Sequence, residues 1–159
     1  MTILLVSVLV VDDDTEVRDM LSSVLNDEGY VVEAVENGKK AIKACEKLFF
    51  DVALIDVELP DMKGTELLAR LKKMWPKMVR IIITGHPSLD SAMKAVNERA
   101  DGYVLKPFEV TELLEKIRKL LTEKTEEYLR ISTEAMHAKE STPSSSIKAQ
   151  TNGNAQPAD

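Results

Sequence analysis

Short apolar runs alternate with longer segments of helical period from the start of the chain to about Leu121. The runs Val6–Val11, Val31–Val35, Val52–Val57, Val79–Thr84 and Gly102–Leu105 predict strands. Several are almost continuously apolar rather than alternating, the pattern of parallel strands covered on both faces. Between them, Val17, Met20, Leu21, Val24 and Leu25 recur at helical spacing, with Gly29 as a stop. Asn37-Gly38 opens a second helix carrying Ala41, Ile42 and Cys45, and Thr65–Met74 forms a third that stops before Pro76. Leu89–Asn97 and Val110–Leu121 complete a set of five helices. Regular alternation of strand and helix predicts an α/β domain with a doubly wound parallel sheet over residues 1–121.

Apolar density falls after Leu121. Leu114, Ile117, Leu121, Tyr128, Ile131 and Ala135 keep a three-to-four spacing that Lys124 interrupts. Two readings stay open: a last core helix that frays beyond Leu121, or one extended over residues 122–138 that pairs with a second copy. Residues 139–159 are rich in Ser, Thr, Pro, Asn and Gln and are expected to be a disordered tail.

Composition narrows the function. With 21 Lys+Arg against 27 Asp+Glu the net charge is −6, which argues against nucleic-acid binding driven by overall charge. A single cysteine excludes a disulfide framework and a multi-cysteine metal site; Cys45 reads as a small buried hydrophobe. The first apolar run is too short to span a bilayer and lacks the features of a secretory signal. A soluble cytoplasmic protein is expected, with no membrane contact.

The carboxyl ends of the strands are where an open α/β sheet places its functional crevice. The first strand delivers Asp12 and Asp13 there, the third Asp56, the fourth Thr84, and the fifth runs into Lys106-Pro107. The second strand delivers nothing comparable, which suits an edge. Clustered carboxylates repel unless a cation neutralises them. Oxygen donors beside a lysine and a hydroxyl suit Mg²⁺ meeting a phosphate. Asp56, closing a wholly apolar run, is then a candidate carboxylate nucleophile for a phosphoryl group.

Taken singly, each feature has a plainer explanation. Asp12-Asp13-Asp14 suits a helix cap, and Asp14 is expected to be one. Asp56 could lead into a turn at Pro60-Asp61. Thr84 could be a β-branched strand residue, and Lys106 a solvated loop lysine. Their joint placement favours the site.

Four stretches resemble the receiver domain of two-component response regulators: Val8-Leu-Val-Val-Asp-Asp13, Leu54-Ile-Asp56-Val-Glu-Leu-Pro-Asp-Met62, Ile82-Ile-Thr-Gly85 and Tyr103-Val-Leu-Lys-Pro-Phe108. The resemblance implies a flavodoxin-like five-stranded sheet of order 2-1-3-4-5 with five helices. It also implies a phosphoacceptor at Asp56 and Mg²⁺ held by Asp12, Asp13, Asp56 and the backbone carbonyl of Glu58. Asp13 is the expected direct ligand of the acidic pair. Thr84 and Lys106 are implied to bind the phosphoryl group, Thr84 and Tyr103 to switch with it, and the Lys106-Pro107 bond to be cis.

The implied partners are a histidine kinase or phosphotransfer protein, which donates the phosphoryl group, and a downstream protein met near the fourth and fifth helices and the strand between them. The segment after Leu121 is too short and too polar for a typical DNA-binding module, so a stand-alone receiver with no direct nucleic-acid contact is expected. It would be a signalling protein that catalyses only its own phosphorylation and dephosphorylation.

Two alternatives remain. Asp56-x-Glu58 loosely resembles the haloacid dehalogenase motif of aspartyl phosphatases, although that family's nucleophile ends the first strand and is followed by a second aspartate. A receiver-like binding module that is never phosphorylated is the other. His86, at the lip of the site, reads as a rim residue, and His137 as chemically idle. Trp75 is expected to pack at the opposite end of the sheet. No function is assigned to Ile3–Val6.

Overall fold

A computed structural model describes residues 5–85 and 88–141. The elements are β1 (Ser7–Val11), α1 (Thr15–Asp27), β2 (Val31–Val35), α2 (Gly38–Lys47), β3 (Val52–Asp56), α3 (Gly64–Met74), β4 (Val79–Thr84), α4 (Leu89–Asn97), β5 (Gly102–Leu105) and α5 (Val110–Ser141). All strand pairs are parallel, and the sheet order is β2-β1-β3-β4-β5. This is the doubly wound, flavodoxin-like architecture expected from the sequence.

The strands explain the layering. Side chains alternate across a strand, so Leu9, Val11, Ala53, Ile55 and Ile82 face one cluster completed by Leu67, Leu68 and Leu71 of α3 and Ala41 and Cys45 of α2. Val8, Val10, Leu54, Ile81 and Ile83 face a second cluster completed by Leu21 and Leu25 of α1 and Leu113, Leu114 and Ile117 of α5. With both faces covered, the three inner strands carry no polar alternation. The edge strands β2 and β5 are more open, and Val31 and Leu105 stay half exposed.

Boundaries shift slightly from the sequence reading. β1 starts at Ser7, whose backbone N–H and hydroxyl both reach Asp51 Oδ2. β3 stops at Asp56, because Val57 turns to accept a backbone bond from Gly64 at 2.7 Å. α5 runs to Ser141, past Leu121 and into the stretch expected to be disordered from residue 139. Residues 142–159, which carry the rest of the expected tail, lie outside the described residues, as do His86 and Ile3.

The chain divides into two units, Met1–Glu126 and Glu127–Asp159. The first holds the sheet and its covering helices. The second is described only as the continuation of α5, where Tyr128, Leu129, Ile131 and Met136 are exposed. No described helix is long and apolar enough to cross a membrane.

Candidate functional site

The register brings the chemical residues to one rim. Val11 pairs with Ile55, so Asp12 and Asp56 follow their partners at the same level of the sheet. Asp56 pairs with Ile83 and Thr84 with Leu105, which sets Thr84 and Lys106 at the carboxyl ends of β4 and β5. The Lys106 N–H donates to the Thr84 carbonyl at 2.8 Å, and the Lys106-Pro107 peptide is cis.

Asp12 is buried, at 3% exposure, and its oxygens are committed. Oδ1 accepts from the Asp14 N–H at 2.9 Å, and Oδ2 accepts from Lys106 Nζ at 2.7 Å. Arg18 of α1, not singled out in the sequence, donates to the Asp12 carbonyl at 2.7 Å. Asp13 is exposed, and Asp14 caps α1 by accepting from the Glu16 N–H at 2.9 Å. Adjacent carboxylates thus divide their work between the site and the helix end.

Asp56 accepts from the Glu58 N–H at 3.2 Å through Oδ1 and from Lys106 Nζ at 3.4 Å through Oδ2. Burial pushes its carboxyl above the usual aspartate range, and the charge of Asp12 adds to this. The Glu58 amide and Lys106 pull the other way without cancelling it. Burial acts to lower Lys106, but its hydrogen bond to Asp12 and the charges of Asp12 and Asp56 outweigh that, so its ammonium form is favoured.

Ligand oxygens of Asp12, Asp13 and Asp56 lie within 4.8 Å of one another. Three carboxylates against one ammonium leave a double negative charge, which a hard divalent cation with oxygen ligands neutralises. The donor set therefore fits Mg²⁺. Glu58 has an exposed side chain, and its N–H is tied to Asp56.

Thr84 is buried at the end of β4. Tyr103 is half-buried against the cluster under α2 and α3. Its hydroxyl is buried and has no hydrogen-bond partner among the described residues, while its carbonyl accepts from Lys116 Nζ at 3.1 Å. A buried phenol without a partner is costly to hold.

Two residues between β3 and the first turn of α3 went unread as site residues. At Gly64 a Cβ would collide with the Asp56 carbonyl oxygen, so only glycine lets the chain close beside Asp56. Asp61 accepts from the Gly38 and Lys39 N–H groups, both at 2.9 Å. Trp75 packs as expected, edge-on to Phe49 with ring centroids 5.3 Å apart, and donates to the Cys45 carbonyl at 2.8 Å.

Comparison with known proteins agrees with this geometry. The response regulator receiver domain model matches residues 8–118. The DNA-binding transcriptional regulator NtrC of Proteus hauseri is 37% identical over 116 residues, which is 73% of this chain and 24% of that protein. The probable transcriptional regulatory protein TcrX of Mycobacterium tuberculosis is 34% identical over 116 residues, 73% of this chain and 50% of that protein. The chain thus spans half or less of the length of these two relatives. Among solved structures, a CheY-like response regulator receiver domain protein from Methanospirillum hungatei superposes with a TM-score of 0.76 at 41% identity, covering 77% of this chain and 98% of that one. The chemotaxis response regulator CheY4 of Vibrio cholerae gives 0.69 at 29% identity, covering 74% and 99%.

Proposed function

Because this chain belongs to the response regulator receiver domain family, we propose that it is the phosphoacceptor switch of a two-component phosphorelay. The observation that carries this reading is the convergence of Asp12, Asp13 and Asp56 around Lys106. A phosphohistidine of a histidine kinase or phosphotransfer protein is the donor. An Asp56 carboxylate oxygen forms a bond to phosphorus as the phosphorus–nitrogen bond to the histidine breaks, and the leaving imidazole takes its proton from solvent. Asp12, Asp13, Asp56 and the Glu58 carbonyl would hold Mg²⁺, which would supply neutralisation of the phosphoryl charge. Lys106 pairs with another phosphoryl oxygen and Thr84 donates its hydroxyl. Water attack on the acyl phosphate later resets the switch.

Family membership weighs against the haloacid dehalogenase reading, and the intact acidic and basic set weighs against a module that is never phosphorylated. Incubation with Mg²⁺ and acetyl phosphate tests the proposal: intact mass should rise by one phosphoryl group, and chelation of the metal should prevent it. Unchanged mass with Mg²⁺ present would defeat the reading.

In the proposed output step, Thr84 moves toward the phosphoryl group, Tyr103 changes position, and a pre-existing equilibrium shifts. The face formed by α4, β5 and the start of α5 is the proposed contact for a downstream protein. Met93, Val96 and Leu105 are exposed there, beside a cleft of about 250 Å³ lined by Tyr103, Phe108, Glu112 and Lys116. The reading carries with it a cytoplasmic location and no direct nucleic-acid contact by these residues.

The length of α5 supports the reading in which it pairs with a second copy. Tyr128, Ile131 and Ala135 continue the spacing of Leu114, Ile117 and Leu121. Lys124, which breaks that stripe, bonds Asp101 at 3.3 Å within its own unit. In a parallel pair, Glu134 of one copy flanks the stripe opposite Lys139 of the other. Light scattering should give a dimer mass for the full chain and a monomer mass for the double variant Tyr128→Glu, Ile131→Glu. Equal masses would remove the pairing.

A further inference from the structure

We propose that Asp61 is a positioning residue of the phosphoryl-transfer site, clamping the β3–α3 loop to the amino end of α2 so that the Glu58 main chain is held beside Asp56. The inference rests on the metal-dependent phosphoacceptor reading and extends it to a residue that touches none of the reacting groups.

The clamp is bidentate and long-range. Each carboxylate oxygen of Asp61 takes one backbone N–H, from Gly38 and Lys39, 23 and 22 residues earlier in the chain. The helix has a local cap already, since the Asn37 side chain accepts from the Lys40 N–H at 2.8 Å. Of the two amides that Asp61 takes, that of exposed Lys39 can be satisfied by water, whereas Gly38 is buried. The link to Asp61 therefore serves the buried Gly38 amide of α2 and also constrains the loop. An anion at a helix amino end is also favoured by the helix dipole. Burial acts to raise the Asp61 carboxyl, but the bonds from Gly38 and Lys39 outweigh it and hold it below the usual range.

The loop is also held at its base and by Leu59 and Met62, which pack against the core. Gly64 N–H donates to the Val57 carbonyl, and Glu58 pairs with Lys63 in a single antiparallel bridge. Between these, the tip rests on α2: Met62 lies where a side chain at Gly38 would be, its sulfur overlapping the place a Cβ would take. Asp61 and Met62 thus fix the tip by a polar and an apolar contact. Releasing the polar one frees the segment that carries Glu58, whose N–H orients Asp56 Oδ1 and whose carbonyl is the proposed backbone ligand.

The test compares the full chain with Asp61→Ala, Asp61→Asn and Asn37→Ala. Mg²⁺ affinity is read by calorimetry and backbone amide exchange by NMR without metal. Asp61→Ala should weaken Mg²⁺ binding about tenfold, the scale of losing a group that orients a ligand, and should speed exchange at Glu58. Phosphorylation by acetyl phosphate should recover at saturating Mg²⁺. Asp61→Asn, which keeps one acceptor, should fall between. Asn37→Ala, which removes only the local helix cap, should lower thermal stability and leave Mg²⁺ affinity unchanged. Wild-type affinity in both folded Asp61 variants would overturn the proposal, as would an equal loss in Asn37→Ala. If the wild-type chain itself neither binds Mg²⁺ nor takes a phosphoryl group, the parent reading fails instead.

Discussion

Asp56→Asn should abolish phosphoryl uptake and make the fold more resistant to heat at neutral pH. The first effect follows from chemistry: an amide is no nucleophile toward phosphorus, and no other carboxylate in the cluster is held by both Lys106 and the Glu58 amide. The second follows from the sign of the pKa shift. Burial, aided by the charge of Asp12, raises the carboxyl of Asp56 above its unfolded value of 3.8, so between the two values the folded chain binds more protons than the unfolded one. Stability associated with Asp56 is therefore fully present below the unfolded pKa and is lost as pH rises through the folded one. Asparagine keeps the shape and loses no stability across that window. The Tm of Asp56→Asn should match wild type in acid and exceed it by about 3 °C at pH 7 without Mg²⁺. Adding Mg²⁺ should narrow the gap, because ligand binding stabilises the chain that holds the third carboxylate. A lower Tm at pH 7, or phosphorylation surviving in the variant, would contradict this.

Lys106→Ala should have the next largest effect, through charge rather than shape. Its ammonium lies 2.7 Å from Asp12 Oδ2 and 3.4 Å from Asp56 Oδ2, and is the cation bonded to both. Without it, a nearly buried Asp12 faces Asp56 across an uncompensated gap. Breaking a fully buried pair costs about 3–5 kcal/mol; with the lysine about a quarter exposed, roughly 1–2 kcal/mol at pH 7 is expected after screening by solvent. This loss should shrink in acid as Asp56, whose pKa is raised by burial, takes up a proton. The initial rate of phosphorylation at saturating Mg²⁺ should fall about a hundredfold, the scale of removing one preorganised charge from a transition state. Lys139→Ala, an exposed lysine near the end of α5, should change neither quantity. Equal effects of the two substitutions would remove the role given to Lys106.

The contrast between these two lysines also marks what was legible in the sequence. Lys106 follows an apolar strand, and strand ends in a parallel sheet converge on one crevice, so its neighbours could be named from pattern alone. The same rule reached Asp12, Asp13, Asp56 and Thr84. Sheet order came from family resemblance and not from periodicity, since apolar runs of similar length do not reveal which lies beside which. The residues that stayed hidden depend on distant partners. Asp61 reads as a turn residue until Gly38 is brought beneath it, and Gly64 as a helix start until its approach to the Asp56 carbonyl is seen. Arg80 sits fully buried in β4, where its backbone N–H meets Asp101 Oδ2 at 2.8 Å; nothing local in an apolar strand announces that partner. The extent of α5 was obscured by Lys124, a polar break in the stripe that Asp101 also accepts. One acid from the loop before β5 thus serves two cations that the sequence presents as unrelated.

Chemical trapping of the phosphorylated residue tests the central claim most directly. After loading with acetyl phosphate and Mg²⁺, borohydride reduction of an acyl phosphate converts the aspartate that carried it to homoserine, and peptide sequencing by mass spectrometry reads its position. A phosphoacceptor at Asp56 predicts homoserine at residue 56, dependent on Mg²⁺ during loading. Homoserine at another aspartate, or a phosphoryl group found on a histidine with residue 56 unaltered, would contradict it.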